Sequence, residues 1–157
     1  MKISASIYSD NSRPLKAVIA DLEAHQVDLL HIDCNDNLSV FDDIKQIREW
    51  CTLPLDLHII TPDPAKFYPY LLENPVEYLT FQVEDLKAEL EIPQEIQGKK
   101  GLALITPTPI SAFEAYEHFD FILIMATVPG QSGGIFDRLN FDKIRSFRKR
   151  YPNKSIH

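Results

Sequence analysis

Glycine is scarce in this chain, with 5 in 157 residues, and there are only 2 cysteines. So little glycine excludes collagen-like and low-complexity repeats. Two thiols, Cys34 and Cys51, cannot build a disulfide framework or a zinc ribbon, and both are expected to be reduced. Positive charge is also short, at 16 basic against 23 acidic side chains and a net charge of -7. Such a field repels phosphate backbones and anionic lipid, which argues against nucleic-acid and membrane partners. No run approaches the ~20 apolar residues of a membrane span, and Met1-Lys2-Ile3-Ser4 leads straight into strand-like sequence without a signal-peptide core. The expected location is the cytoplasm.

What is present is ordinary globular material: 45% hydrophobic and 25% charged residues, over a length that suits one domain, residues 1–157. Short β-rich apolar runs recur every ~20–25 residues, the spacing of strands joined by crossover helices. Six are complete: Ile3–Tyr8, Leu29–Cys34, Leu55–Ile60, Tyr78–Val83, Gly101–Ile105 and Phe121–Ala126. Helical spacing follows at Leu15, Val18, Ile19 and Leu22, at Ile44, Ile47 and Trp50, and at Ile144 and Phe147. Thr108-Pro109 and Thr61-Pro62-Asp63-Pro64 read as capping hydroxyls before a proline at a first helical position. Strand and helix are therefore expected to alternate throughout, in an α/β fold that is either an open doubly wound sheet or a (β/α) barrel. A seventh strand begins at Ser155-Ile156-His157. Because a complete eight-stranded barrel needs ~200 residues or more, the expectation is that the sequence is incomplete relative to its fold or that partner chains cover the gap.

Strand alternation places His31 and Asp33 on one face, and Asp56 and His58 repeat the pattern on the next strand. One such pair is more often structural; two pairs at the ends of neighbouring strands point to a shared ion. Two histidines and a carboxylate suit zinc, iron, manganese or cobalt, with Asp56 as a partner orienting a ligating imidazole. Asp36 reads as a turn residue in Asn35-Asp36-Asn37. Gly130-Gln131-Ser132-Gly133-Gly134 holds three of the five glycines, either as a cradle of backbone N–H groups for an anion or as a plain connection. It is neither a Walker loop nor a dinucleotide fingerprint. Ser6 ends the first strand facing the same cavity. The basic stretch Lys143–Lys154 reads as a solvated helix end, and His25 and His118 fall on the far side of the sheet.

The order of these pieces resembles the ribulose-phosphate 3-epimerase family: Ile3-Ser4-Ala5-Ser6-Ile7, His31-Ile32-Asp33, Asp56-Leu57-His58, Thr80-Phe81-Gln82-Val83-Glu84, Lys100-Gly101-Leu102-Ala103-Leu104, Met125 and Pro129–Gly134. The resemblance spans essentially the whole chain. It implies a (β/α)8 TIM barrel of the ribulose-phosphate-binding type, with about six βα units present. It also implies one divalent metal ion (Zn, Fe, Mn or Co) held by His31, Asp33 and His58, with Asp33 as an acid/base carboxylate. Substrate contacts are implied at Ser6, His58, Met125, Gly130, Gln131, Ser132, Gly133 and Gly134. The implied reaction is epimerisation of a ketose phosphate, such as D-ribulose 5-phosphate to D-xylulose 5-phosphate, in the pentose phosphate pathway.

In the family a second acid/base aspartate, also a metal ligand, lies in a Val-Asp-Gly-Gly motif that would follow His157. Within the chain, the family more usually has methionine at Asn35 and near Ile60, glycine at Asn37, histidine at Gln82, and Pro-Gly-Phe-Gly-Gly-Gln at Pro129–Gly134. These departures leave a second reading, a family member that binds a sugar phosphate or metal without turnover. Decarboxylase or aldol chemistry on a related barrel is a third, and the paired histidines argue against the metal-free decarboxylases. Exposed sheet edges lead to an expectation of homo-oligomerisation.

Overall fold

The computed structural model of the chain describes residues 1–129 and 135–157. Among the described residues seven strands form one sheet in sequence order: β1 Ser4–Ser6, β2 Leu29–Asn35, β3 Leu55–Ile60, β4 Tyr78–Gln82, β5 Lys99–Ile105, β6 Phe121–Met125 and β7 Ser155–Ile156. Every neighbouring pair is parallel. Successive strands that pair in parallel need crossovers, and the right-handed rule turns them into a curled sheet. The result is part of a TIM barrel, as expected, and the seventh strand begins at Ser155.

The helices are α1 Leu15–Ala24, α2 Val40–Trp50, α3 Tyr68–Glu73 and α4 Leu139–Arg150. On α2, Val40, Phe41, Ile44 and Ile47 make a buried stripe at helical spacing. It packs against the outer sheet face, where Leu30, Ile32, Leu55, Leu57, Ile59, Leu79, Phe81, Leu102 and Leu104 belong to the same core. One continuous apolar layer therefore sits outside the curl, leaving the inner face to the polar alternation of β2 and β3.

Strict alternation of strand and helix fails between β4 and β6. A 3-10 turn at Val83–Asp85 and irregular chain fill the β4–β5 crossover, and a 3-10 helix at Ile110–Tyr116 fills the next. Pro93 and Gly98 interrupt the first, and its Leu90 and Ile96 still reach the core. Gly98 is held at φ +86, where an added Cβ would lie 2.1 Å from the Val76 carbonyl oxygen, so only glycine fits there. Pro109 stands at the N-cap in extended backbone, not at the first helical position, whereas Pro64 does open its 3-10 turn. The first strand is also shorter than the sequence pattern suggested, ending at Ser6.

Candidate metal centre

Register brings the two polar pairs together. Parallel pairing of β2 and β3 sets His31 beside Asp56 and Asp33 beside His58. Both pairs stop short of the strand ends, because β2 continues to Asn35 and β3 to Ile60. The cluster thus lies inside the curl and not at the strand ends, as the sequence pattern had placed it.

His31 Nε2 and His58 Nδ1 each lie 3.2 Å from Asp33 Oδ1. The second nitrogen of each ring is also engaged. His31 Nδ1 donates to Asp56 Oδ2 at 3.0 Å, and the Ser4 hydroxyl donates to the same oxygen at 2.7 Å. His58 Nε2 donates to Gln82 Oε1 at 2.9 Å. Asp56, His58 and Gln82 are all buried, so these bonds set ring orientation without competition from water.

Charge within the cluster is finely opposed. Burial works against charging His31, but hydrogen bonds and attraction from Asp33 and Asp56 outweigh it and raise its pKa from 6.5 to about 10. Burial likewise opposes the Asp33 and Asp56 carboxylates. The imidazoles prevail, and both groups stay below the usual carboxylate range.

A divalent ion fits this donor set. The ligand atoms of His31, Asp33 and His58 all lie within 4.8 Å of one another. With Nε2–H committed to Gln82, Nδ1 is the nitrogen that His58 can offer to a cation shared with Asp33. Asp56 behind His31 and Gln82 behind His58 are the outer partners such a centre uses.

The other expected residues are placed as follows. Ser6 pairs in register with His31, and Met125 ends β6, three strands away from His58. Gly130, Gln131, Ser132, Gly133 and Gly134 lie outside the described residues. Asp36 is a turn residue, at φ +56 and paired with Lys66 at 2.6 Å. Sequence reasoning missed Ser4, although it shares the Ser6 face by simple alternation. It also missed that Gln82 and Glu84 stand behind His58, since that depends on β3–β4 register.

Two cavities of about 900 Å³ accompany the fold. One lies inside the curl and runs from Ser4, His31 and Asp56 to Tyr78, Phe121 and His157. The other lies before the starts of β3, β4 and β5, where Arg48 and Glu77 neutralise each other at 2.9 Å. The first reaches the cluster at His31 and Asp56.

A sequence profile of the Ribulose-phosphate 3 epimerase family matches residues 2–157. The chain belongs to that family. A ribulose-phosphate 3-epimerase of Aquifex aeolicus is 26% identical over 78% of the chain and 60% of its own length. The Bacillus subtilis relative of that name is 26% identical, covering 98% of the chain and 76% of itself. A protein of Oryza sativa, named as the cytoplasmic isoform, is 27% identical over 99% of the chain and 74% of itself. The match to the Aquifex protein thus takes in about three fifths of that protein's length.

Proposed function

We propose that this family member is a metal-dependent isomerase that epimerises a ketose phosphate, D-ribulose 5-phosphate to D-xylulose 5-phosphate being the reaction its relatives' names suggest. The observation that carries the reading is the convergence of His31 Nε2 and His58 Nδ1 on one oxygen of Asp33. In this reading His31, Asp33 and His58 hold one divalent ion, with zinc, iron, manganese and cobalt all compatible with the donors. When bound, the ion supplies the Lewis-acid charge that offsets negative charge developing on the substrate oxygens.

Asp33 is the group that moves the proton. Its carboxylate, kept ionised by two imidazoles, takes a proton from one face of the carbon beside the ketone, and the second aspartate of the family's Val-Asp-Gly-Gly motif delivers a proton to the opposite face, which completes the inversion. Asp56 and Ser4 hold His31 in place, and Gln82 holds His58, so that the Asp33 oxygen keeps one position through the cycle. Ser6, Met125 and Gly130–Gly134 complete the proposal as contacts to the sugar and its phosphate. No helix among the described residues is long and apolar enough to cross a membrane. Cytoplasmic location and homo-oligomerisation belong to the same proposal, the latter supported by the exposed Ile135, Phe136 and Leu139.

The test is deuterium incorporation from heavy water into D-ribulose 5-phosphate by the metal-loaded protein, alongside formation of the epimer. Protein that carries the second aspartate is expected to do both, and its Asp33→Asn variant neither. Binding of zinc and the sugar phosphate with no exchange by the wild type would instead select the non-catalytic reading. Turnover retained by Asp33→Asn removes Asp33 from the chemistry.

A further inference from the structure

His58 is an imidazole with a choice of two neutral forms, and only the form protonated on Nε2 offers Nδ1 to an ion beside Asp33. The ring is fully buried, so water cannot set that choice. Its Nε2 faces the Gln82 amide, which is itself symmetric in shape: oxygen toward the ring fixes the Nε2–H form, and nitrogen toward the ring fixes the opposite one. On the other side Asp33 Oδ1, 3.2 Å from Nδ1, accepts a proton from the metal-free ring, so a proton on Nε2 depends on which way the amide faces, and something must orient it.

Glu84 does so. Its Oε2 accepts from Gln82 Nε2, and its Oε1 accepts the backbone N–H of Ile105 at 3.0 Å. A carboxylate accepting on both oxygens can face only the NH2 end of the glutamine, which leaves Oε1 turned toward His58. The chain of bonds runs from the end of β5 through Glu84 and Gln82 to the buried ring on β3. Each link has one donor and one acceptor, so the direction set at Glu84 is transmitted whole.

We propose that Glu84 and Gln82 are positioning residues for the metal centre, a two-residue relay that fixes His58 as an Nδ1 ligand. The relay rests on the metal-dependent reading above only in its last step, the donation of Nδ1 to an ion. The polarity of the Glu84, Gln82 and His58 chain is a property of the metal-free protein.

That separation makes the test decisive. Two-bond proton–nitrogen NMR on the metal-free protein, recorded above neutral pH, reads the His58 tautomer directly, and calorimetric titration with zinc reads affinity. Wild type is expected to show a proton on Nε2, facing Gln82 Oε1, whatever Nδ1 shares with Asp33. Glu84→Gln frees the amide to reverse, which shifts the ring toward Nδ1–H and weakens zinc by roughly 10–100-fold, the usual effect of losing an outer partner. The exchange Gln82→Glu with Glu84→Gln rebuilds the original polarity: the new carboxylate accepts from His58, and the new amide donates to it while its oxygen accepts from Ile105. Tautomer and zinc affinity should both return, a rescue that a merely space-filling role would not produce.

A ring that stays Nε2–H in folded Glu84→Gln overturns the relay, as does a doubly exchanged variant that shows Nδ1–H. If Glu84→Gln does not fold, the doubly exchanged protein decides alone, Nε2–H sustaining the relay and Nδ1–H overturning it. A wild type that shows Nε2–H, responds to Glu84→Gln as expected and takes up no zinc sustains the relay in the metal-free protein and rejects the metal-dependent reading instead.

Discussion

Asp33, Asp56, His31 and His58 form a set in which each imidazole is gripped from both sides, and this has a measurable electrostatic consequence. His31 sits between two carboxylates, which outweigh its burial and raise its pKa to about 10 in the metal-free protein. Because the folded value lies above the ordinary 6.5, protonated His31 contributes stability that is complete below about pH 6.5 and is lost as pH rises toward 10. Replacing Asp56 with Asn removes one of the two charges, and the His31 pKa should fall, as read by the pH dependence of its ring carbon-bound proton signals. The same variant should bind zinc ~10–100-fold more weakly, since the neutral amide is a poorer acceptor for His31 Nδ1–H. At this scale the sequence was informative wherever strand alternation alone decides: His31 with Asp33, and Asp56 with His58, share faces whatever the neighbouring strands do. It named Gln82 and Glu84 only as part of a family motif and not their partners on β3 and β5, which are chosen by register between segments over twenty residues apart.

At the level of elements, the sheet tolerates a large aromatic ring on its inner face because one neighbour has no side chain. Gly101 on β5 pairs in register with Phe121 on β6, and a Cβ added to Gly101 would come within 2.2 Å of the Phe121 ring. Gly101→Ala is therefore an overpacking change, expected to lower stability by ~1–3 kcal/mol in chemical denaturation. Combining it with Phe121→Leu should recover part of that loss, because the clash disappears with the ring; strictly additive losses would show that the ring is not the cause. Helices α1, α2 and α4 could be read from apolar spacing, since Val18 and Ile19, Ile44 and Ile47, and Phe147 are among the residues they bury. The β4–β5 crossover could not. Leu90 and Ile96 anchor it to the core from irregular backbone, a tertiary contact with no periodic signature.

For the whole molecule, an ion held by His31, Asp33 and His58 ties β2 to β3 in the middle of the sheet, and it binds the folded chain in preference to the unfolded one. At a free zinc concentration one hundred times the dissociation constant, that preference is worth ~2.7 kcal/mol. For a chain of this size it corresponds to a rise in melting temperature of roughly 5–10 °C, reversed by a chelator. The electrostatics of the cluster add a sharper expectation. Since His31 is protonated at neutral pH and a ligand nitrogen must be unprotonated, zinc binding at pH 7 should expel close to one proton from that ring. Calorimetric titrations in buffers of different ionisation enthalpy measure that proton directly, as a slope of observed heat against buffer enthalpy. A slope near one supports displacement of the His31 proton by the ion. A slope near zero, with zinc still bound, would mean that His31 enters the site already neutral, and the two carboxylates would then be holding a neutral ring by hydrogen bonding alone.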